Sequence, residues 1–293
     1  MNIYDYNGNL YIPKKEISIL FIGNSLMQDG VSYIPYVLSN IFPEINYKIY
    51  IWYNGGYTLA QQYNKFISNG KADIFSVAEN YISWTNYNAS KTMTDVLNEF
   101  AFDIVCMQEF FTSNVNTNYS INDLVHWTNC INYITSHYNK NPLMFMGFAH
   151  SVRSTDIVYN NMLNGLSIIL KNTIAEDIFP NGIAIKYAMN TELNNLGDAG
   201  KLSNDGTHSQ EGLPCLLEGF CGALWIANKL GIAKSVYNSE LRITTAIQNT
   251  LHIPGANMGS GVITGTDSEN LLAQECAIQG FKYCKKFVID HLM

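Results

Sequence analysis

The chain has 293 residues, a length typical of one large domain or two small ones. An aromatic content of 13% and a hydrophobic content of 47% exclude an intrinsically disordered chain. The 17 Lys and Arg residues are outnumbered by 24 Asp and Glu residues, and the net charge of −7 argues against nucleic acid or an anionic membrane surface as a partner.

No apolar run reaches the roughly 18 residues that a membrane span requires. The first 15 residues are polar and lack the apolar stretch of a signal peptide, so we expect a cytoplasmic protein unless a signal was removed ahead of residue 1. The six cysteines show no CxxC spacing, which favours small buried side chains over disulfides or zinc ligands. We expect no metal and no cofactor, and the oligomeric state stays open.

Hydrophobic patterning predicts an alternation of strands and helices. In chain order the predicted elements are a strand at 17–22, a helix at 31–42, a strand at 45–53, a helix at 58–67, an irregular excursion or hairpin at 72–90, a helix at 92–100, a strand at 102–107, a helix at 121–138, a strand at 143–148, a helix at 155–175 and a strand at 183–188. A loop at 194–212, a helix at 213–230, a Gly-rich loop at 252–267 and a C-terminal helix at 268–292 follow.

This alternation predicts an α/β fold with a parallel sheet of about five strands and helices on both faces. We expect an N-terminal extension at 1–16, one α/β domain at 17–234, and a C-terminal helical extension at 235–293 that packs on the same domain. Ligands of such sheets bind at the carboxyl ends of the strands. The residues that directly follow each strand are therefore the candidates for a functional site.

The segment Gly23-Asn24-Ser25 follows the first strand. Asn24 and Ser25 either cap the next helix or place a serine nucleophile at the edge of the sheet, and a serine nucleophile requires a nearby base. His208, three residues after Asp205, is a candidate because that spacing lets the carboxylate orient the imidazole. A helix cap with an incidental histidine is the alternative, and His150, after the fourth strand, is the competing base.

Two further segments follow strands. Gln108 ends the third strand, and its amide is suited to donate a hydrogen bond to a developing oxyanion. Gly55-Gly56 follows the second strand, and glycine lets a backbone N–H approach a substrate closely. An ordinary polar strand end and a tight turn are the respective alternatives.

Taken together, these four blocks resemble the SGNH/GDSL hydrolases over about residues 17 to 229, and most closely an uncharacterised bacterial branch near the carbohydrate esterases. The resemblance implies a three-layer α/β/α sandwich with a flavodoxin-like sheet. It implies a catalytic triad of Ser25, Asp205 and His208, with oxyanion donors from Ser25, Gly56 and Gln108. Asn24 stands where many members carry Asp, and Gln108 stands in place of their Asn.

The resemblance implies a serine esterase that hydrolyses an O-acyl ester, most simply an acetyl ester, on a small molecule or a carbohydrate. Asn24, Tyr57 and Glu109 are the expected substrate-binding residues. Some aromatic residues are candidates for stacking on a sugar ring or for ordinary packing: Trp52, Tyr53, Tyr57, Trp84 and Tyr87. A lipase or thioesterase, and a non-catalytic glycan-binding module, are the alternative functions.

Overall fold

The structure is a computed structural model. It describes residues 3–4, 10–11, 16–77, 82–86, 90–109, 124–138, 144–148, 156–194, 202–203, 208–232, 241–244, 247, 250–251, 253 and 262–292. The strands are β1 (Ile3–Tyr4), β2 (Leu10–Tyr11), β3 (Glu16–Gly23), β4 (Asn46–Tyr53), β5 (Lys71–Val77), β6 (Thr85–Asn86), β7 (Lys91–Thr92), β8 (Ile104–Met107), β9 (Met144–Phe148), β10 (Ala175–Phe179), β11 (Glu211–Gly212) and β12 (Val262–Ile263). The helices are α1 (Ser25–Val31), α2 (Ile34–Ile41), α3 (Leu59–Ile67), α4 (Met93–Glu99), α5 (Leu124–His137), α6 (Asp156–Asn172), α7 (Asn181–Met189), α8 (Leu213–Lys229) and, from Asp267–Leu292, α9.

One mixed sheet organises the fold. Its strands follow the order β10-β9-β8-β3-β4-β5-β6, and β7 pairs with β5 beside this path. The first five strands of that order are parallel, whereas β5 is antiparallel to β4 and β6 is antiparallel to β5. The α/β class with a parallel-rich sheet flanked by helices is therefore confirmed.

The predicted strand number is wrong, because seven strands lie along the path instead of about five. The additional strands come from the segment at 72–90, which was predicted as an irregular excursion or a hairpin. Of these two alternatives the hairpin is correct, because β5 and β6 pair in antiparallel orientation. Strand β5 alternates between exposed and buried residues over its first half, as an edge region does when one face is solvated.

The fifth predicted strand, at 183–188, is also wrong. These residues lie in α7, which is buried on most of its surface, while the fifth parallel strand is β10. A helix that is buried on all sides gives the same continuous apolar run as a buried strand, so periodicity does not separate the two. Strand β10 was hidden because it carries Glu176 and Asp177 among its apolar residues.

The apolar side chains of β3 alternate between the two faces of the sheet. Ile19 and Phe21 join a core that includes side chains of α2, α7, α8 and α9, whereas Leu20 and Ile22 join a core that includes side chains of α3, α4 and α5. Because β3 has parallel neighbours on both sides, it lies in the middle of the sheet and is buried throughout most of its length. The end of β3 is consequently a rigid place for functional residues.

The C-terminal helix α9 packs on α7 and α8. Its Gly280 is buried where α9 crosses α7, and a methyl group at this position would lie 2.5 Å from Cα and 2.6 Å from N of Ala184. Within the described residues, no helix is long and apolar enough to cross a lipid bilayer. The division of the chain at residue 234 stays a prediction.

We predict that Gly280→Ala destabilises the protein by about 1–3 kcal/mol, because the methyl group overlaps the backbone of α7. Helix propensity alone predicts the opposite sign, a gain of about 1 kcal/mol. Urea unfolding of the variant measures the difference, with Glu275→Ala, an exposed position on the same helix, as the control. A Gly280→Ala protein at least as stable as the wild type would show that α9 does not approach α7 this closely.

Candidate functional site

Ser25 lies where β3 ends and α1 begins. Asn24 is the N-cap of α1, and its side-chain oxygen accepts a hydrogen bond from the N–H of Leu26 at 3.0 Å. The cap predicted for Asn24 is therefore present, but it leaves the Ser25 hydroxyl available. Ser25 is half-buried, whereas the residues on both sides of it in sequence are buried.

His208 meets this serine. The Nε2 atom of His208 lies 2.9 Å from Oγ of Ser25, although the two residues are 183 positions apart in the sequence. His208 is half-buried as well, so the pair is open to solvent on one side. A hydroxyl within hydrogen-bonding distance of an imidazole nitrogen is the arrangement that activates a serine nucleophile. Asp205 and the competing base His150 lie outside the described residues, and their predicted roles stay predictions.

A buried carboxylate that the sequence reasoning missed holds the segment beside His208. Asp29, which is 1% exposed, accepts a hydrogen bond from the backbone N–H of Ser209 at 3.1 Å. Asp29 lies on α1, one helical turn after Ser25. The i,i+4 spacing puts both side chains on one face of the helix, and this was the signal available in the sequence.

The turn after β4 is tied to the segment that carries Ser25. The N–H of Asn54 donates to the carbonyl of Gly23 at 3.1 Å, and Nδ2 of Asn24 donates to the carbonyl of Tyr57 at 3.1 Å. Gly56 lies between these two contacts with a φ of +69°, a conformation that favours glycine. The predicted oxyanion glycine is thus held close to the predicted nucleophile. Asn24, predicted as a substrate-binding residue, uses its side chain for the cap and for this tie.

A buried network of amides supports the same turn. Oε1 of Gln62 accepts hydrogen bonds from Nε1 of Trp52 at 3.2 Å and from Nδ2 of Asn54 at 2.6 Å. The Nε2 group of Gln62 donates to the carbonyl of Gly23 at 3.0 Å. One side chain of α3 therefore connects β4, the turn and the end of β3.

The backbone N–H of Gln108 donates to the carbonyl of Ile22 at 3.0 Å, which places Gln108 next to Gly23. Its side chain is 1% exposed, and neither its Nε2 nor its Oε1 finds a hydrogen-bond partner among the described residues. A side chain at position 23 would come within 2.8 Å of this amide oxygen and within 2.7 Å of Cβ of Met27. Glycine at 23 therefore provides the space that the amide occupies.

Some residues predicted to bind substrate have structural roles. Glu109 is buried, and its Oε1 accepts a hydrogen bond from the N–H of Leu59 at the first turn of α3. Trp52 and Trp84 lie in the cores and donate their indole N–H groups to Gln62 and to the carbonyl of Ser32. Tyr87 lies outside the described residues.

A small cleft opens beside the turn after β4. Its volume is about 250 Å³, and its lining consists of Tyr53, Asn54, Gly55, Tyr57, Lys65, Lys71, Ala72 and Asp73. The cleft shares Gly55 and Tyr57 with the turn that contacts Asn24. Of these two residues, Tyr57 accepts the hydrogen bond from Asn24, the residue before Ser25.

The cysteines do not offer a competing nucleophile. All six are buried, which confirms the expectation of small buried side chains, and each is a free thiol. Burial raises the pKa of every one of these thiols, in the case of Cys276 to about 11, so the thiolate is suppressed at neutral pH. Among the residues that the structure describes, no group of three or more His, Cys, Asp and Glu side chains is arranged to hold a metal ion.

Comparisons with known proteins inform the fold alone. No protein-family model and no curated protein sequence matches this chain. The chain is similar in structure to a DUF4886 family protein from Bacteroides uniformis ATCC 8492, with a TM-score of 0.66 over 92% of this chain and 95% of that one. The sequence identity is 16%, so the likeness covers the arrangement of helices and strands and does not extend to function.

We predict that Asp29→Ala lowers the free energy of unfolding by about 1–3 kcal/mol, because the buried N–H of Ser209 loses its acceptor. Asp29→Asn keeps an acceptor oxygen at that place and should cost less. Urea unfolding measures both, with Asp290→Ala, an exposed carboxylate on α9, as the control. Equal stability of the Asp29→Ala and Asp290→Ala proteins would contradict the role given to Asp29.

Proposed function

We propose that the protein is a serine esterase that transfers an acyl group to Ser25 and then to water. The observation that carries this proposal is the 2.9 Å contact between Oγ of Ser25 and Nε2 of His208 at the carboxyl end of the central strand. In the five parallel strands, β3 comes first along the chain and lies between β4 and β8, the second and third of them. This spatial order is typical of a flavodoxin-like sheet in a three-layer sandwich, which supports the proposal. The same arrangement agrees with the resemblance of the sequence blocks to SGNH/GDSL hydrolases.

In this mechanism His208 is the general base. In the neutral tautomer that carries its proton on Nδ1, Nε2 accepts the hydrogen bond from the Ser25 hydroxyl and takes its proton as Oγ attacks the ester carbonyl. His208 then returns the proton to the leaving alcohol. Water then gives a proton to Nε2 as its oxygen attacks the acyl carbonyl, and His208 returns that proton to Oγ of Ser25 as the bond to the acyl group breaks and the acid leaves. Asp205 is the residue that the sequence blocks assign to hold the imidazolium.

The oxyanion of the tetrahedral intermediate requires donors next to Ser25. The proposed donors are the N–H of Ser25, the N–H of Gly56 and the side-chain amide of Gln108. The Gln108 amide supports this role because it is buried beside Gly23 and is not engaged by another described residue. A donor of this kind typically contributes about 3 kcal/mol of transition-state stabilisation.

The proposed substrate is an O-acyl ester, most simply an acetyl ester, on a carbohydrate. The cleft beside Gly55 and Tyr57 supports a small carrier, because its volume of about 250 Å³ lies below the roughly 300–1,000 Å³ of pockets for drug-sized ligands. A pure binding module with the same fold has no use for a serine in contact with an imidazole. The contact therefore favours the enzyme over the non-catalytic alternative.

We predict that Ser25→Ala and His208→Ala each reduce the turnover of p-nitrophenyl acetate by at least about a thousandfold, and that the double variant is little worse than either. The losses should not add because nucleophile and base act as one unit. Initial rates of the wild type, the two single variants and the double variant measure these losses.

The surface of α5 offers a matched control. Oγ of Ser136 lies 3.0 Å from Nδ1 of His137, so this exposed pair repeats the serine–histidine contact away from the sheet edge. Ser136→Ala and His137→Ala should leave turnover unchanged. A Ser25→Ala protein that keeps wild-type turnover, or losses that add in the double variant, would contradict the proposal.

A further inference from the structure

The cleft beside the Gly56 turn has an unusual balance of charge for an acidic protein. Its ionisable lining consists of the lysines Lys65 and Lys71 against the single carboxylate of Asp73, together with two phenols, Tyr53 and Tyr57. Burial raises the pKa of Tyr53, and the neighbouring carboxylates Asp29 and Asp73 raise it further, so this phenol stays neutral and offers a hydroxyl donor. The lining therefore carries two cationic side chains and one anionic side chain, although the chain as a whole carries −7.

Lys65 is fixed in position by neutral partners. Its ammonium donates to Oδ1 of Asn54 and lies 5.1 Å from the centre of the Tyr57 ring. Asn54 is in turn 5% exposed and held by Gln62 at 2.6 Å. A cation that is oriented by an amide and a ring keeps its full charge for a ligand, and its binding costs less side-chain entropy.

Neither lysine of the cleft forms an ion pair with a carboxylate of a described residue. Other cations do form such pairs: Lys91 with Glu99, Lys186 with Asp156, Lys229 with Asp177 and Arg242 with Asp267. Lys71 does interact electrostatically with the carboxylate of Asp95. The pKa of Asp95 is lowered mainly by hydrogen bonds from Thr92 and to a smaller extent by the charge of Lys71. Lys65 is thus the stronger anchor and Lys71 the weaker one.

We propose that this cleft binds a negatively charged sugar, so that the esterase acts on acyl esters of acidic sugars. This inference rests on the proposed function, since it names the substrate class of the same site. The ammonium groups of Lys65 and Lys71 pair with the anionic group of the sugar, the Tyr57 and Tyr53 rings offer apolar contact to the pyranose, and Asp73 accepts from its hydroxyls. The hydrogen bond from Asn24 to the carbonyl of Tyr57 joins the lining of the cleft to the segment that carries Ser25, so the proposal assigns the acylated position of the sugar to the side of the cleft that faces this turn.

Binding to the full-length Ser25→Ala protein tests the cleft without turnover. The probes are D-glucuronate, D-glucose 6-phosphate and D-glucose, followed by ligand-observed NMR titration. The two anionic probes separate a preference for carboxylate from a preference for phosphate. We expect at least one of them to bind roughly fivefold or more tightly than glucose, with the advantage falling at high salt.

Substitutions locate the effect. Lys65→Met should weaken the binding of the anionic probe by roughly five- to tenfold and Lys71→Met by a smaller factor, whereas Lys65→Arg should retain most of it. Lys285→Met is the matched control, because Lys285 also donates to an asparagine oxygen and lies over an aromatic ring, on α9. Equal binding of all three probes, or equal effects of Lys65→Met and Lys285→Met, would overturn the proposal.

A kinetic measurement separates this inference from the esterase itself. The wild-type protein is compared on mono-acetylated glucuronate and mono-acetylated glucose, and we expect a kcat/KM ratio of roughly five or more in favour of the acid. Equal hydrolysis of both esters would contradict the charged cleft and leave the esterase intact. Hydrolysis of neither, with Lys65-dependent binding of glucuronate, would contradict the esterase and leave the cleft as a binding site.

Discussion

The hydrogen bond from the backbone N–H of Ser209 to the buried carboxylate of Asp29 fixes the geometry on which the site depends. Helix α1 carries Ser25 at its first residue and Asp29 one turn later, so one helix positions Ser25 and, through Asp29, the residue after His208. A second anchor follows, in which the N–H of Gly212 donates to the hydroxyl of Tyr33 at 3.0 Å. Both contacts are buried, and a buried N–H that lost its acceptor would cost its full desolvation energy. The segment with His208 is held at both points.

A second set of polar contacts links the cleft to the end of β3, two residues before Ser25. Lys65 donates to Asn54, Asn54 donates to Gln62, and Gln62 donates to the carbonyl of Gly23. Polar groups in a buried network orient one another and leave few alternative arrangements when all are satisfied. One continuous chain of hydrogen-bonded side chains therefore connects Lys65 in the cleft to Gly23, the last residue of β3.

The sequence predicted the parts of the site that follow from strand ends. Ser25, the Gly56 turn and Gln108 each follow a strand that was predicted correctly, and parallel strands bring their carboxyl ends to one edge of the sheet. The helix predicted at 58–67 is α3, and Thr58 is its N-cap and forms a reciprocal cap with Gln61. These predictions depended on local signals, which a single sequence contains.

Other features depended on tertiary context. The run at 183–188 in α7 is apolar except for Lys186 because α8 and α9 pack on that helix, and hydrophobic periodicity does not distinguish such a run from a buried strand. Trp52 and Trp84 were candidates for stacking on a sugar ring, yet both lie in the cores, where their indole N–H groups donate hydrogen bonds to protein acceptors. Asp29 was visible as a carboxylate one turn after Ser25, but its acceptor role depends on a partner 180 positions away. Long-range pairings of this kind are fixed by the fold and have no local signature.

The central claim is that Ser25 is a nucleophile activated by His208, and covalent labelling tests it most directly. The folded protein is treated with a fluorophosphonate, and the modified residue is located by peptide mass spectrometry. The account predicts a single adduct on Ser25, absent in Ser25→Ala and formed far more slowly in His208→Ala, because the unactivated hydroxyl is a weak nucleophile. No adduct on Ser25 in the wild-type protein, or labelling at the same rate without His208, would contradict it.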